Sequence, residues 1–314
     1  MEIIRGLNNL RARHRGCVAT IGNFDGVHLG HQAVLQQLAE RGAEFSLPAV
    51  VITFEPQPRE YFGRGEMPPR LTRFREKVQV LRRFSVERVV CLRFNRALAN
   101  MPAAEFIQRL LVEGLAVRYV VVGDDFRFGK GRQGNFAMLR EAGIREGFHV
   151  AAMHTFDVDG MRVSSTRVRD ALARDDLAAA ETLLGRPYRM CGRVARGDAR
   201  GRTIGFPTAN IHLHRKSSPV SGVYAVEVFG LQKEPLSGVA NVGIRPTVGG
   251  TESRLEVHLL DFDEDIYGRS VCVDFLHKLR PEHRFESLEE LVAQIRKDAA
   301  TARDFHAARR GFIQ

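Results

Sequence analysis

TIGNFDGVHLGH, residues Thr20 to His31, is the stretch on which the reading of this chain turns. It follows a short apolar run, Cys17 to Ile21, with the character of a buried strand. It turns through Gly22, Asn23, Asp25 and Gly26, and a helical pattern begins at His31, with Val34, Leu35 and Leu38 at helical spacing. A strand, a glycine-bearing turn and a helix start present free backbone N–H groups and the positive end of a helix dipole to an anion, most simply a phosphate. His28 and His31 sit three apart, with Gly30 keeping the backbone low between them. Two imidazoles so placed can donate to phosphate oxygens as charge builds in a transition state.

Outward from this stretch, strand and helix patterns alternate. Ala49 to Phe54 reads as a strand, and Leu71 to Phe84 as a helix with Thr72 at its N-cap. Arg88 to Leu92 is the next strand, Pro102 to Glu113 the next helix, and Val117 to Val122 and Phe148 to Met153 two more strands. This alternation predicts a parallel sheet covered by helices, with ligands beyond the carboxyl ends of its strands. The loops 22–31, 55–62 and 123–135 fall there. In the last, GDDFRFGKGRQGN, Phe126 and Phe128 flank Arg127, and exposed aromatics there suggest a planar ligand. Further on, VSSTRVRDAL opens a helix that Ser164 caps, with Ser165, Thr166 and Arg169 at the end that favours phosphates.

A short helix, Leu177 to Leu184, ends at Gly185 and Pro187, and the boundary is placed near residue 186. Beyond it the apolar runs are short and broken by Gly, Pro and Asn: Tyr188 to Val194, Val223 to Phe229, Gly238 to Val242, Arg254 to Leu260 and Val271 to Leu276. That texture is an antiparallel barrel or sandwich, followed by a terminal helix through Leu288, Leu291 and Ile295. In GFPTAN, Thr208 and Asn210 alternate, so extended backbone points both oxygens one way, as hard ligands for Mg²⁺. In RLEVHLL, Glu256 and His258 alternate with Leu255, Val257 and Leu259.

The chain has 314 residues, enough for two domains, and a hydrophobic fraction of 44%. Lys+Arg number 47 against 37 Asp+Glu, a net charge of +10 that suits polyphosphate substrates. The basic residues are dispersed and no nucleic-acid-binding signature appears, so no nucleic-acid partner is expected. No apolar run is long enough to cross a bilayer, and the first residues lack the apolar centre of a signal peptide, so no membrane partner and a cytoplasmic location are expected. Cys17, Cys91, Cys191 and Cys272 form no CxxC pair, and each reads as a reduced core residue. The sequence does not set the oligomeric state.

GNFDGVHLGH resembles the first signature of the nucleotidyltransferases that move an adenylyl group from ATP, in particular the adenylyltransferase half of the bacterial bifunctional riboflavin kinase/FAD synthetase family. VSSTRVR is similar to that family's ISSTxxR motif, GDDFRFG to its GxDFRFG segment, and GFPTAN to its riboflavin kinase signature. The resemblance runs from about Ile21 to the final helix. It implies a Rossmann-like nucleotidyltransferase domain, residues 1–186, and a small antiparallel β-barrel riboflavin kinase domain with a C-terminal helix, residues 187–314. It implies ATP-dependent phosphorylation of riboflavin to FMN by the second and adenylylation of FMN to FAD by the first, with Mg²⁺. It places Gly22, Asn23, Phe24 and Asp25 at the nucleotide beside the catalytic His28 and His31. Ser165, Thr166 and Arg169 fall on the ATP phosphates, and Phe62, Asp125 and Phe128 near the flavin. In the kinase half it assigns Gly197, Arg202 and Gly205 to the nucleotide-binding loop, Thr208 and Asn210 to the metal, Glu256 as the base and Arg280 near the nucleotide or flavin. Gln57 stands where many relatives have His, and neither it nor His258 receives a role.

Overall fold

The structure is a computed structural model that describes residues 1–63, 67–153, 156–158, 160–196, 205–215, 217–247 and 250–311. By contacts the chain divides into two units, Met1–Pro68 with Thr72–Ser165, and Pro69–Leu71 with Thr166–Gln314.

The first unit is built on six parallel strands: β1 Glu2–Arg5, β2 Cys17–Ile21, β3 Ala49–Glu55, β4 Arg88–Arg93, β5 Val117–Gly123 and β6 His149–Met153. Their order across the sheet is β1-β4-β3-β2-β5-β6. Every residue of β2 is buried, because helices cover both faces of the sheet. One face packs Val18, Val51 and Val121 against Val34, Leu35 and Leu38 of helix α1, Leu29–Phe45. The other packs Ala19, Ile52 and Val120 against Leu110, Leu111 and Leu139. The remaining helices of this unit are α2 Pro58–Phe62, α3 Phe74–Leu81, α4 Arg96–Ala99, α5 Ala103–Phe106 and α6 Phe136–Glu146. A two-stranded ribbon, β7 Asp157–Val158 and β8 Met161–Arg162, follows.

The chain leaves β2 for β3 on one side and β5 for β6 on the other, so the loops after β2 and β5 diverge. Ligands bind at such a switch point. The loops that leave it carry Gly22–His28 and Asp124–Asn135.

Three local expectations change. The strand β1 is not foreseen, since four residues at a sheet edge carry little pattern. The expected helix over 71–84 begins at Phe74, with Arg73 rather than Thr72 at the N-cap, and Arg73 N–H donates to Glu76 at 2.6 Å. Thr72 is drawn off to a buried bond with Asp25 instead. The expected helix over 102–113 is α-helical only through Phe106 and continues as a wider π-helix, Ile107–Gly114.

The second unit begins with α7, Ser165–Ala173, which crosses the division, and α8, Leu177–Leu184, capped by Asp176 and stopped by Gly185 in the left-handed region. Six antiparallel strands then close a barrel: β9 Tyr188–Ala195, β10 Ala209–His212, β11 Gly222–Phe229, β12 Leu236–Thr247, β13 Gly250–Leu259 and β14 Ser270–Arg280. Ala240, Val242, Leu255, Val257, Val273 and Phe275 are buried within it. Helix α9, Leu288–Gly311, lies on the outer face, with Ala299 and Ala302 against Ala225 and Leu260.

The expectation of four reduced cysteines is corrected here. Cys191 and Cys272 are direct cross-strand partners on β9 and β14, with Cα atoms 4.0 Å apart, and they form a disulfide. An 81-residue separation concealed a neighbour relation that only the strand register creates. Cys17 and Cys91 are free and buried, and burial pushes the Cys17 thiol up to about 12.

Candidate functional site

In the parallel-sheet unit the turn after β2 is held in an unusual backbone. Phe24 (φ 49°) and Val27 (φ 44°) are both left-handed without being glycine. Such residues cost about 1–3 kcal/mol each and persist where the surroundings over-determine them. The surroundings here are specific. The Asp25 carboxylate, buried, accepts from Thr72 N–H at 2.9 Å and from Thr72 Oγ1 at 3.3 Å. Gly26 N–H donates back to Thr72 Oγ1 at 2.9 Å, and Ser165 Oγ donates to the Asp25 carbonyl at 2.9 Å. Asp25 and Ser165, 140 positions apart, are thus one piece of structure.

His28 is the N-cap of α1: its Nδ1 accepts from His31 N–H at 3.3 Å. With Nδ1 accepting, the proton of the neutral ring sits on Nε2. The two imidazoles stack, centroids 3.7 Å apart, and Phe24 closes on His31 from another side at 4.9 Å. Gly30 permits this, since a Cβ there would stand 3.3 Å from His28 Nδ1 and 3.6 Å from the Val163 carbonyl. Burial first, then the neighbouring His28 and Lys77, hold the His31 pKa well below its ordinary value, so the ring is neutral at pH 7. His31 Nδ1 and Asn23 Oδ1 are buried with no hydrogen-bond partner among the described residues.

In the barrel unit the arrangement is a row across the sheet. Asn210 on β10 is opposite Glu256 on β13, and Glu256 is opposite Asn241 on β12. Asn241 is opposite Val223 on β11, and Val223 is opposite Arg280 on β14. Opposed residues of antiparallel strands share a face, and this face is the outer one. A cleft of about 290 Å³ lies there, walled by Thr208, Asn241, Glu256, His258 and Arg280 and, on the helical side, by Phe285, Leu291 and Ile295. Glu256 pairs with Arg254 at 3.0 Å. Arg280 is gripped by Asp298 of α9 through Nε at 3.0 Å and Nη2 at 2.8 Å. His258 Nδ1 lies 2.9 Å from the Pro207 carbonyl, which ties the GFPTAN segment to β13. Asn210 Oδ1 and Asn241 Oδ1 are both buried without a hydrogen-bond partner among the described residues. Thr208 also lines a second cleft of about 70 Å³, with Pro207 and Tyr267.

The FAD synthetase family model matches residues 10–167 and the riboflavin kinase family model residues 184–306. A bifunctional riboflavin kinase/FMN adenylyltransferase of Escherichia coli K12 is 55% identical over 97% of this chain and 98% of its own length. Its Haemophilus influenzae counterpart is 52% identical over 97% and 99%. The chain belongs to the bifunctional riboflavin kinase/FMN adenylyltransferase family. A solved structure titled a macrolide-efflux protein, from Streptococcus pneumoniae, superposes with a TM-score of 0.81 at 31% identity, covering 96% of this chain and 98% of that one. Among the described residues no helix is long and apolar enough to cross a membrane.

Set against the family's two signatures, the expected residues separate into groups. Gly22, Asn23, Phe24, Asp25, His28, His31 and Ser165 come together around the start of α1. Thr166 and Arg169 fall in the other unit by contacts, and Arg169 Nε donates to the Pro69 carbonyl at 2.7 Å. Phe62 is 61% exposed beside Tyr61 and Phe94. Asp125 pairs with Arg162 at 2.8 Å at the surface. Phe128 is not exposed as expected: it is buried, stacked on Phe126 at 5.3 Å and packed against Phe106 at 5.6 Å. Its loop folds back through a bridge to Gly134, where a Cβ would stand 2.8 Å from the Phe128 ring. The alternation of aromatics in that loop marks a core contact, not an exposed platform. Gly197 and Arg202 lie outside the described residues. Gly205 precedes Thr208 in the segment leading to β10, and Thr208, Asn210, Glu256 and Arg280 share the outer face of the barrel.

Gln57 is the N-cap residue of α2, and its buried Nε2 has no hydrogen-bond partner among the described residues. Lys77 was not foreseen, and Asn241, in the stretch ANVGIRPT that resembles a family segment, was given no role. Lys77 is 1% exposed, with Nζ 3.4 Å from Thr53 Oγ1. Its signal was available: with Phe74, Val78 and Leu81 it occupies the stripe of α3 that should be apolar. A larger open groove of about 350 Å³, lined by Arg11, Arg15 and Arg109, lies by residues that precede β2 and β5, at the opposite strand ends from His28.

Proposed function

We infer that this chain makes FAD from riboflavin in two ATP-dependent steps, with phosphorylation in the barrel unit and adenylylation at the β2–α1 turn. The observation that carries the reading is the unpartnered, buried Asn210 oxygen in register with Glu256. A buried acceptor left bare costs about 1–3 kcal/mol, and a ligand in the site removes that cost.

For the kinase step we place riboflavin in the 290 Å³ cleft, its ring against the Phe285, Leu291 and Ile295 wall and its ribityl end at Glu256. The terminal hydroxyl oxygen attacks the γ-phosphorus of ATP, Glu256 takes the hydroxyl proton, and the bond to the bridging oxygen breaks to release ADP. Thr208 and Asn210 offer a hydroxyl and an amide oxygen, a donor set that fits Mg²⁺, and the ion would neutralise charge on the phosphates. Among the described residues no three His, Cys, Asp or Glu side chains cluster as a metal site.

For the second step an FMN phosphate oxygen attacks the α-phosphorus of the second ATP, and pyrophosphate departs. The nucleophile is already anionic, so alignment and hydrogen-bond donation are what the site must supply. His28, fixed by its cap bond, and His31, held neutral by burial, present imidazole donors beside the helix start. We assign Ser165, Thr166 and Arg169 to the ATP phosphates, and Phe62 and Asp125 to the flavin side. The functional boundary is taken at residue 186.

The test is a chromatographic time course with riboflavin, ATP and Mg²⁺. FMN should rise and then give way to FAD. Unchanged riboflavin from folded protein would overturn the kinase half, and no FAD from supplied FMN would overturn the other.

A further inference from the structure

Asn241 stands between two residues that cannot donate to its side-chain oxygen. Its cross-strand neighbours are Glu256, whose ionised carboxylate only accepts, and Val223, which has no side-chain donor. Asn241 Oδ1 is nonetheless buried, with no hydrogen-bond partner among the described residues. Asn210, on the far side of Glu256, repeats the pattern: its neighbours in the row are Glu256 and Ala195. Three side-chain oxygens thus lie side by side on one face, and the asparagines' own NH2 groups, which can donate to Glu256, leave the Asn210 and Asn241 oxygens unpartnered. A leucine would fill the Asn241 position without that penalty, so the polar group implies a donor from outside the chain.

The two amides differ in what surrounds them. Asn210 follows Thr208 and belongs with the hard-ligand pair. Asn241 lines the cleft with Arg280, Phe285 and Ile295. The terminal torsion of an asparagine is soft, so a small rotation turns its oxygen to a donor in the cleft. The donor chemistry that fits between a carboxylate and an amide oxygen on neighbouring strands is a pair of adjacent hydroxyls. One hydroxyl gives its hydrogen to Glu256 and the next gives its hydrogen to Asn241.

We propose that Asn241 is a specificity-determining residue of the kinase site, accepting a hydrogen bond from a ribityl hydroxyl next to the one that Glu256 deprotonates. This rests on the placement of riboflavin in the barrel cleft. It makes Asn241 a reader of the polyol chain rather than of the isoalloxazine ring. It sets the reacting hydroxyl by its neighbour, so flavins that lack the chain gain nothing from Asn241.

The experiment compares riboflavin with lumiflavin, which has the ring system and no ribityl chain, by fluorescence quenching on the full chain. Wild type, Asn241→Ala and Asn241→Ser are titrated, and kinase and adenylylation rates are measured on the same preparations. Asn241→Ala should weaken riboflavin binding about tenfold or more and raise the KM for riboflavin. The KM for ATP, the Mg²⁺ dependence and lumiflavin binding should stay within about twofold of wild type. Asn241→Ser, which keeps an oxygen, should recover part of the loss. The unchanged ATP KM and lumiflavin affinity show that the barrel of the variant is folded. Equal weakening of both flavins, an unchanged riboflavin affinity, or a shifted Mg²⁺ requirement would each overturn the role. Wild type that fails to bind either flavin would overturn the placement of riboflavin itself, a different failure from one confined to the variants.

Discussion

In the parallel-sheet unit the candidate site groups sit on a turn and a helix cap after the strands end. In the barrel unit they sit on the strands, side by side in register. The first arrangement is compact in sequence: Asn23, His28 and His31 span a single turn, fixed by Thr72 and Ser165 reaching in from elsewhere. The second is dispersed: Asn210, Asn241, Glu256 and Arg280 lie on four strands and meet only because the barrel closes. On the proposed assignment the difference amounts to two ways of building a phosphate-transfer site. A turn borrows backbone N–H groups and a helix dipole, whereas a strand row must supply every polar group from side chains.

The comparison can be broken most forcefully at the turn. His28→Ala removes both the α1 cap and a donor beside the helix start. FAD formation from supplied FMN should fall about 10²- to 10³-fold, while riboflavin phosphorylation in the barrel continues, as read by chromatography. A parallel loss of both rates would mean that the two sites are not separate. Phe128→Ala tests whether that buried ring serves the core alone. As a core residue it should cost about 3–5 kcal/mol of stability in denaturant unfolding, and folded protein should keep its KM for FMN. A raised KM with unchanged stability would restore the flavin contact.

Thr72→Val is a smaller perturbation of the same turn. It removes the hydroxyl that donates to the Asp25 carboxylate and accepts from Gly26 N–H. The expected cost is about 1–3 kcal/mol, with adenylylation reduced more than phosphorylation. The smallest effect is with acid. The folded His31 pKa is depressed, so below about pH 6.5 the unfolded chain takes up a proton that the folded ring refuses. Stability is therefore complete above that pH and falls as pH drops through it, by at most about 1.4 kcal/mol per pH unit from this group. Unfolding of His31→Gln should show a shallower decline between pH 7 and 5 than wild type, and equal slopes would remove His31 as its source.

The contrast between turn and row also explains what was legible in the sequence. Gly, Asn, Asp and His at fixed short spacing mark a turn whose geometry is local, so the β2–α1 site and the strand–helix alternation could be read directly. The barrel strands could be located, but not their register. Glu256 and Asn210 were proposed through RLEVHLL and GFPTAN, whereas Asn241, in the family-like stretch ANVGIRPT and joined to Glu256 through β12, received no role. The same blindness to register hid the Cys191–Cys272 pair. Thr72 was misread because its hydroxyl serves a residue 47 positions away rather than its own helix. The burial of Phe128 was missed because a polar loop closes over it. Lys77 broke an apolar stripe, a signal that was present.

The most direct measurement is a pair of feeding experiments on Glu256→Gln. Given riboflavin, ATP and Mg²⁺, it should form FMN about 10²- to 10⁴-fold more slowly than wild type. Given FMN and ATP, it should make FAD at the wild-type rate. That split is what two chemically separate sites on one chain require. Near-normal FMN formation would remove Glu256 as the base, and loss of FAD synthesis from supplied FMN by a folded variant would contradict the separation of the sites.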